Sequence, residues 1–316
     1  MGVAELVVAV NQMDAAGWAE ARFEHIKERA SAILAQAGYA KPPPVFVPVS
    51  AFEGVNLAPP GGRHPTERGA EMATTSAGQA DSPPGLDWYA GPSLVEALEA
   101  LTPPAKSSAV GARLCVSDAF RAADAGSAAF GAFAISGKMQ SGRVTCGETL
   151  MLMPSAEAVT VKSLRSRGEP VSEVVAGDLV EAGLAHAPAE PGALAAGSVL
   201  CDALRPVQLA RRIEVQLRVL PFASLVTRGM PCELYCHATS APAVVSQLVC
   251  LVDKQGRRSP GPRPRALAPG MSAVAVLEVR RAVCVELYCD CRPMGRVVLR
   301  DAGKTIAAGV ISAIIG

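Results

Sequence analysis

Apolar positions follow one rhythm over the first hundred residues of this 316-residue chain and another over the rest. Leu6 to Val10 is a short β-branched run of the kind buried in a parallel sheet, and it ends at Asn11-Gln12-Met13-Asp14. From Trp18 the apolar residues recur at spacings of three and four through Phe23, Ile26, Ala30, Ile33 and Ala37, which predicts a helix stopped by Gly38. Val45 to Val49 repeats the buried-strand pattern and closes at Ser50-Ala51-Phe52. The segment Ala58 to Gly85 is rich in Pro, Gly, Ser and Thr and has no apolar period, so a disordered insertion is expected there. Order is expected again at Trp88-Tyr89, and Leu94, Leu98 and Leu101 mark one more helix.

From Arg113 the pattern becomes period-two alternation broken by Gly, Asp and Pro, as in small all-β barrels. Phe133 to Met139, turned by Gln140-Ser141-Gly142 and returning through Val144, reads as a hairpin. Alternation resumes at Arg212 to Val219 and runs through Leu234-Tyr235 and Val283 to Leu287 to Val297-Leu299. Two barrels of about a hundred residues each fit this span, with a seam near Arg205-Pro206.

Composition narrows the function classes. Thirty basic side chains against 29 acidic ones leave a net charge of +1, too balanced for a protein that coats nucleic acid or an anionic membrane, so any such contact is a local patch. The longest apolar runs, Leu6 to Val10 and Ile306 to Ile315, are shorter than the ~20 residues of a spanning helix. No secretion or acylation signal is read at the N-terminus, so no membrane partner and a cytoplasmic location are expected. The nine cysteines, an odd number, suit a reducing compartment. Cys289-Asp290-Cys291 is too closely spaced for a zinc knuckle, and Cys232 and Cys236, with His237 beside them, read as small strand hydrophobes.

The chemistry lies in the first region. Asn-x-x-Asp at a strand exit, followed one βα unit later by Ser-Ala at the next, is the pattern of a guanine-reading pair of loops. A carboxylate such as Asp14 accepts both the ring N–H and the exocyclic amine of guanine, a bidentate contact that adenine cannot make. Asn11 offers an amide to the opposite base edge or to neighbouring loops, and the Ala51 N–H can hold the guanine carbonyl oxygen. Both loops lie beyond the carboxyl ends of their strands, where open α/β sheets bind ligands. Alone, Asn-x-x-Asp is also a helix cap; its pairing with Ser50-Ala51 at the right spacing favours the base-reading role.

Val7-Val8-Ala9-Val10-Asn11-Gln12-Met13-Asp14, Phe46-Val47-Pro48-Val49-Ser50 and Trp88-Tyr89-Ala90-Gly91-Pro92-Ser93-Leu94 resemble the second half of the G domain of eukaryotic translational GTPases related to elongation factor one alpha. Ser136-Gly137-Lys138-Met139, Gly168-Glu169-Pro170-Val171, Val285-Glu286-Leu287-Tyr288 and Met294-Gly295-Arg296 are similar to the Hbs-type ribosome-rescue branch. The resemblance implies an α/β remnant of a P-loop GTPase domain followed by two all-β barrels. The implied division is 1–101 for the C-terminal half of the G domain, with 58–85 inserted, 106–206 for the second domain and 207–316 for the C-terminal domain. It implies GTP or GDP as ligand, with Asn11, Gln12, Asp14, Ser50, Ala51 and Phe52 as the cofactor-binding set.

Departures from the family limit that expectation. No Gly-x-x-x-x-Gly-Lys-Ser/Thr occurs, so no lysine and backbone nest cradle phosphates. No Asp-x-x-Gly stands where the family holds magnesium, and none of His25, His64, His186 and His237 is placed to orient a water, so neither a metal site nor a catalytic residue is expected. The family lysine that stacks on guanine is Gln12, which keeps an aliphatic stem and loses the charge. The front half of the G domain lies outside this sequence, and whether this polypeptide is a GTPase stays open.

The resemblance also implies a Pelota-like decoding factor as partner and the ribosome as workplace, in rescue and mRNA surveillance. Arg296 and Arg300 are the expected partner contacts, since guanidinium groups pair bidentately with carboxylates; salt bridges on the barrel rim are the structural alternative. Lys254, Arg257, Arg258, Arg263 and Arg265, interleaved with Gly and Pro, read as a solvated loop or as a contact to rRNA phosphates. A fragment of an active elongation- or release-factor relative is the competing reading.

Overall fold

Short β-branched runs need partners on both sides, and the computed structural model shows how each run finds them. It describes residues 5–36, 39, 43–59, 85–102, 110–121, 133–186, 194–253, 255–259 and 261–316. Gly38, Lys254, His64 and residues 60–84 of the expected insertion lie outside the described residues. Gly2–Pro104 and Ala105–Gly316 form separate compact units.

In the first unit β1 (Val7–Val10), α1 (Glu20–Gln36), β2 (Val45–Pro48) and α2 (Leu94–Glu99) follow in order. The strands pair in parallel, Val7 opposite Val45 and Val10 opposite Pro48. One cluster gathers Val10, Met13, Phe46 and Leu86 with Phe23, Ile26, Ala30 and Leu34 of α1, and a second gathers Val47 and Val49 with Leu94 and Ala97 of α2. The helix packs half-buried Leu34 against this cluster where the sequence pattern pointed to Ile33, which is 66% exposed. Leu34 lies on the line through Phe23 and Ala30, while Ile33 falls at the edge of that stripe. Trp88 and Tyr89 anchor the return of the chain: Trp88 Nε1 donates to the Trp18 carbonyl at 2.8 Å, and the Phe23 and Trp88 rings lie 5.2 Å apart. Ser93 caps α2 in a reciprocal box with Glu96, whose carboxylate the Ser93 hydroxyl and amide hold below its usual pKa.

The second unit is all β. Its first barrel comprises β3 (Arg113–Arg121), β4 (Phe133–Ser141), β5 (Arg143–Thr145), β6 (Thr149–Met153), β7 (Glu157–Ser166), β8 (Glu169–Val171), β9 (Glu173–Val175), β10 (Leu179–Leu184) and β11 (Val199–Cys201). The sheet order β10-β4-β3-β11-β6-β7 closes through a β7–β10 pairing, around Leu114, Ile135, Met139, Leu152, Val161 and Leu200. The expected hairpin after Phe133 does not form. Both edges of β4 are taken by β3 and β10, so the chain turns at Gly142 and β5 pairs with β9, Val144 opposite Val174. Gly142 has φ +71°, and its α-carbon lies so close to the Gly111–Ala112 backbone that an added Cβ would sit 2.6 Å from the Gly111 carbonyl.

The second barrel comprises β12 (Gln208–Val219), β13 (Val226–Thr227), β14 (Pro231–Cys236), β15 (Thr239–Val252), β16 (Ala266–Leu267), β17 (Ser272–Val285), β18 (Arg296–Asp301) and β19 (Lys304–Ile314). It closes in the order β12-β17-β15-β14-β18-β19, with β19 returning to β12. Inward positions alternate along β15, where Ala241, Ala243 and Val245 are buried and Ser240, Pro242 and Val244 are exposed. A further apolar cluster joins the barrels, with Cys115, Met153, Val199 and Cys201 from the first and Val207, Cys284, Cys291 and Met294 from the second. Within it Arg113 Nε donates to Glu286 Oε1 at 2.7 Å, both side chains nearly inaccessible.

Candidate functional site

The parallel β1–β2 pair delivers the two predicted loops to the same sheet end. The Val49 amide donates to the Val10 carbonyl at 2.9 Å and the Met13 amide to the Val49 carbonyl at 3.2 Å, so the ladder continues into both loops. Met13 is buried as their floor, which turns Asn11 and Gln12 outward; Gln12 takes a left-handed backbone, φ +63°. Asn11 Oδ1 accepts the Ala51 amide at 2.9 Å and pins the loops together. Ser50 is wholly buried, its hydroxyl accepting the Glu53 amide at 3.2 Å, and Phe52 stands 96% exposed beside it.

The sequence-predicted residues are therefore brought together, with one change of role. The Ala51 amide, expected on the guanine carbonyl, is engaged by Asn11 and must swing from it to reach a base. Asp14 is half-buried, and among the described residues its carboxylate makes no side-chain hydrogen bond, so both oxygens remain to accept N–H groups. Asn11 retains its Nδ2 donors. These groups fit a guanine base. Among the described residues nothing fits its phosphates or magnesium: the literal Asp-x-x-Gly strings, Asp14 to Gly17 and Asp253 to Gly256, are local turns closed by glycine amides on the aspartate carbonyls at 2.9 and 3.1 Å.

On the second barrel neither Arg296 nor Arg300 closes an ion pair among the described residues. Arg296 lies over the Tyr288 ring, 5.8 Å from its centroid, and Arg300 over Tyr235 at 5.3 Å. Arg300 Nη2 donates to the Gly303 carbonyl, while its buried Nε has no partner. The Tyr235 hydroxyl donates to Glu233 at 3.0 Å, and Glu233 is the cross-strand neighbour of Arg300. These tyrosine platforms were missed in the sequence; the β14–β18 pairing that puts Tyr235 beside Arg300 is not a local signal.

The basic loop is less uniform than its sequence. Arg257 is exposed, whereas Arg258 reaches back to Glu214 at 2.7 Å, and Arg263 and Arg265 line a concavity of the barrel wall. The buried cysteines are packing groups: Cys232 and Cys236 are in the barrel core, and burial pushes Cys232 up to about 11 and Cys236 and Cys284 up to about 12. Cys289 is exposed, and its thiol donates to Asp290, which raises its pKa further from reactivity.

Residues 212–312 match the family model described as GTP-eEF1A C-terminal domain-like. Protein HBS1 of Drosophila melanogaster is 30% identical over 99% of this chain and elongation factor 1-alpha of Thermofilum pendens 27% identical over 98%. The release factor GTP-binding subunit of Ogataea pini is 30% identical over 99%. Over nearly its whole length the chain is similar to translational GTPases related to elongation factor 1-alpha. It spans 43% of the length of that HBS1 protein, 65% of that elongation factor and 39% of that release-factor subunit. Sup35 solved with GMPPNP shares the fold across 100% of this chain and 70% of its own, with TM-score 0.60 and 26% identity. The elongation factor SelB of Methanococcus maripaludis, at 16% identity and TM-score 0.63 over 98% of this chain and 58% of its own, shows the fold alone. No helix among the described residues is long and apolar enough to cross a membrane.

Proposed function

We propose that this chain works in the Hbs-type branch of the family, in the cytoplasm, in ribosome rescue and mRNA surveillance. Its second barrel grips a Pelota-like decoding factor. In this reading 1–101 is the C-terminal half of a G domain that keeps base-reading residues without hydrolytic parts, and 106–206 and 207–316 are the second and C-terminal domains. The observation that carries it is the presentation of Arg296 and Arg300. Each guanidinium lies on a tyrosine face with no carboxylate closing it, and a rigid stacked cation is a low-entropy anchor for a partner's carboxylates. The 30% identity to HBS1 across nearly the whole chain supports the branch. Guanine enters between Asp14 and Asn11, with Ala51, Ser50, Gln12 and Phe52 around it. Of the basic loop, exposed Arg257 meets rRNA phosphate, since Arg258 is committed to Glu214.

A second reading, the release-factor branch, is favoured by the equal identity to the Ogataea pini subunit and by the Sup35 likeness. Competition separates the two. The immobilised 316-residue chain, offered equal amounts of a Pelota-like factor and a class-one release factor, should retain the Pelota-like factor; preferential retention of the release factor would move the protein to the other branch.

A further inference from the structure

The wall of the second barrel carries a concavity of about 540 Å³ into which Arg212, Arg228, Arg263 and Arg265 converge, with Glu278 and Gln247. Its shape follows from backbone irregularities. The β15–β17 pairing slips between Val245 and Gln247, so Ser246 bulges, and its hydroxyl donates to the Val276 carbonyl at 3.2 Å. Arg228 Nε donates to the freed Ser246 carbonyl at 3.2 Å, which lays that guanidinium along the floor. The small β13–β16 ladder pairs Thr227 with Ala266, bringing Arg228 and Arg265 side by side at its end. A slip in the β12–β17 pairing sets Arg212 opposite Glu278.

Four cations against one carboxylate leave an excess of three positive charges in a concave space. None of the four arginines makes an ion pair among the described residues, whereas neighbouring Arg258 is neutralised by Glu214. Clustered guanidinium groups repel one another unless an anion sits among them, and their planar forks suit carboxylates. We propose that this groove binds an acidic peptide segment of a protein partner. Glu278 and Gln247 favour a peptide over a nucleic-acid strand. A peptide main chain supplies N–H donors for those acceptors, while a phosphodiester chain brings a charge at every link and no backbone N–H to place against Glu278.

The groove lies on β12, β17 and β15, while Arg296, Arg300 and the Tyr235 platform lie on β18 and β14, in the other half of the closed strand order. The proposal therefore does not rest on the Pelota reading and can fail without it. The test is fluorescence anisotropy on the full chain with labelled hexaglutamate, labelled hexaglutamine and a labelled single-stranded oligouridylate. Hexaglutamate should bind and hexaglutamine should not. The double variant Arg228→Gln with Arg265→Gln should weaken hexaglutamate at least about tenfold, as loss of two charge-assisted contacts implies. Arg167→Gln on the first barrel should leave binding unchanged, and the double variant should unfold thermally at the parent's temperature. Tighter binding of oligouridylate with the same arginine dependence would overturn the peptide assignment in favour of phosphate. No hexaglutamate binding, or binding indifferent to Arg228 and Arg265, would remove the site altogether.

Discussion

Arg113 Nε donates to Glu286 Oε1 at 2.7 Å across 173 residues of sequence, and the pair ties the start of the first barrel to the end of β17 in the second. Arg113 also donates to the Ala112 carbonyl at 2.9 Å, so its fork is held on both sides. Breaking one side of such a pair strands a buried charge, at a cost of about 3–5 kcal/mol, while replacing both sides with apolar groups of similar volume is close to neutral. Arg113→Met or Glu286→Leu alone should thus lower stability by that amount, and the double variant should recover most of it. Urea unfolding of the four proteins in a double-mutant cycle reads this directly; additive losses would show that the two side chains do not depend on each other.

His237, in the turn from β14 to β15, predicts a pH dependence. Its Nε2 faces the Cys284 carbonyl at 2.8 Å, an acceptor only, so Nε2 carries the proton and the buried Nδ1 has no partner. Burial lowers the folded pKa, and the carbonyl offsets this in part. The folded state then binds fewer protons than the unfolded chain. Stability from the neutral ring is complete above the unfolded value of about 6.5 and is lost as pH falls below it, by at most about 1.4 kcal/mol per pH unit. Urea midpoints at pH 7 and pH 5.5 should fall more for the parent than for His237→Asn, a side chain that tolerates the φ of +38° and does not titrate. Equal falls would place the acid sensitivity elsewhere.

Phosphoryl transfer depends on positioning and on charge neutralisation by a phosphate-cradling loop, its lysine and magnesium. With none of these encoded in the chain, the purified polypeptide should release no phosphate from GTP above a buffer blank, with or without ribosomes. Ribosome-stimulated turnover by this polypeptide alone would show that another arrangement supplies them.

The parts legible in the sequence are those set by local periodicity. The Leu6 to Val10 and Val45 to Val49 runs became β1 and β2, and the alternation from Arg113 onward became barrel strands. Partner choice between strands was not legible, because it depends on which edges are already taken. β4 reads as one arm of a hairpin until β3 and β10 are seen to occupy both its edges. The β7–β10 and β12–β19 pairings that close the barrels join distant segments. In the candidate site on the first unit the residue types were visible, but the Asn11 bond that occupies the Ala51 amide depends on how the two loops settle on Met13. For Arg296 the rim salt bridge expected as an alternative gave way to the Tyr288 ring, a neighbour eight positions away that no strand alternation specifies.

The most direct measurement is calorimetric titration of the 316-residue chain with a Pelota-like factor in buffer free of nucleotide. Binding should occur there, and Arg296→Ala with Arg300→Ala should weaken it by at least about tenfold, the loss of 1.4 kcal/mol or more that marks an anchor residue, with no change in thermal unfolding. Absence of binding, binding that appears only with GTP, or equal affinity for parent and double variant would contradict a partner surface built on these two arginines.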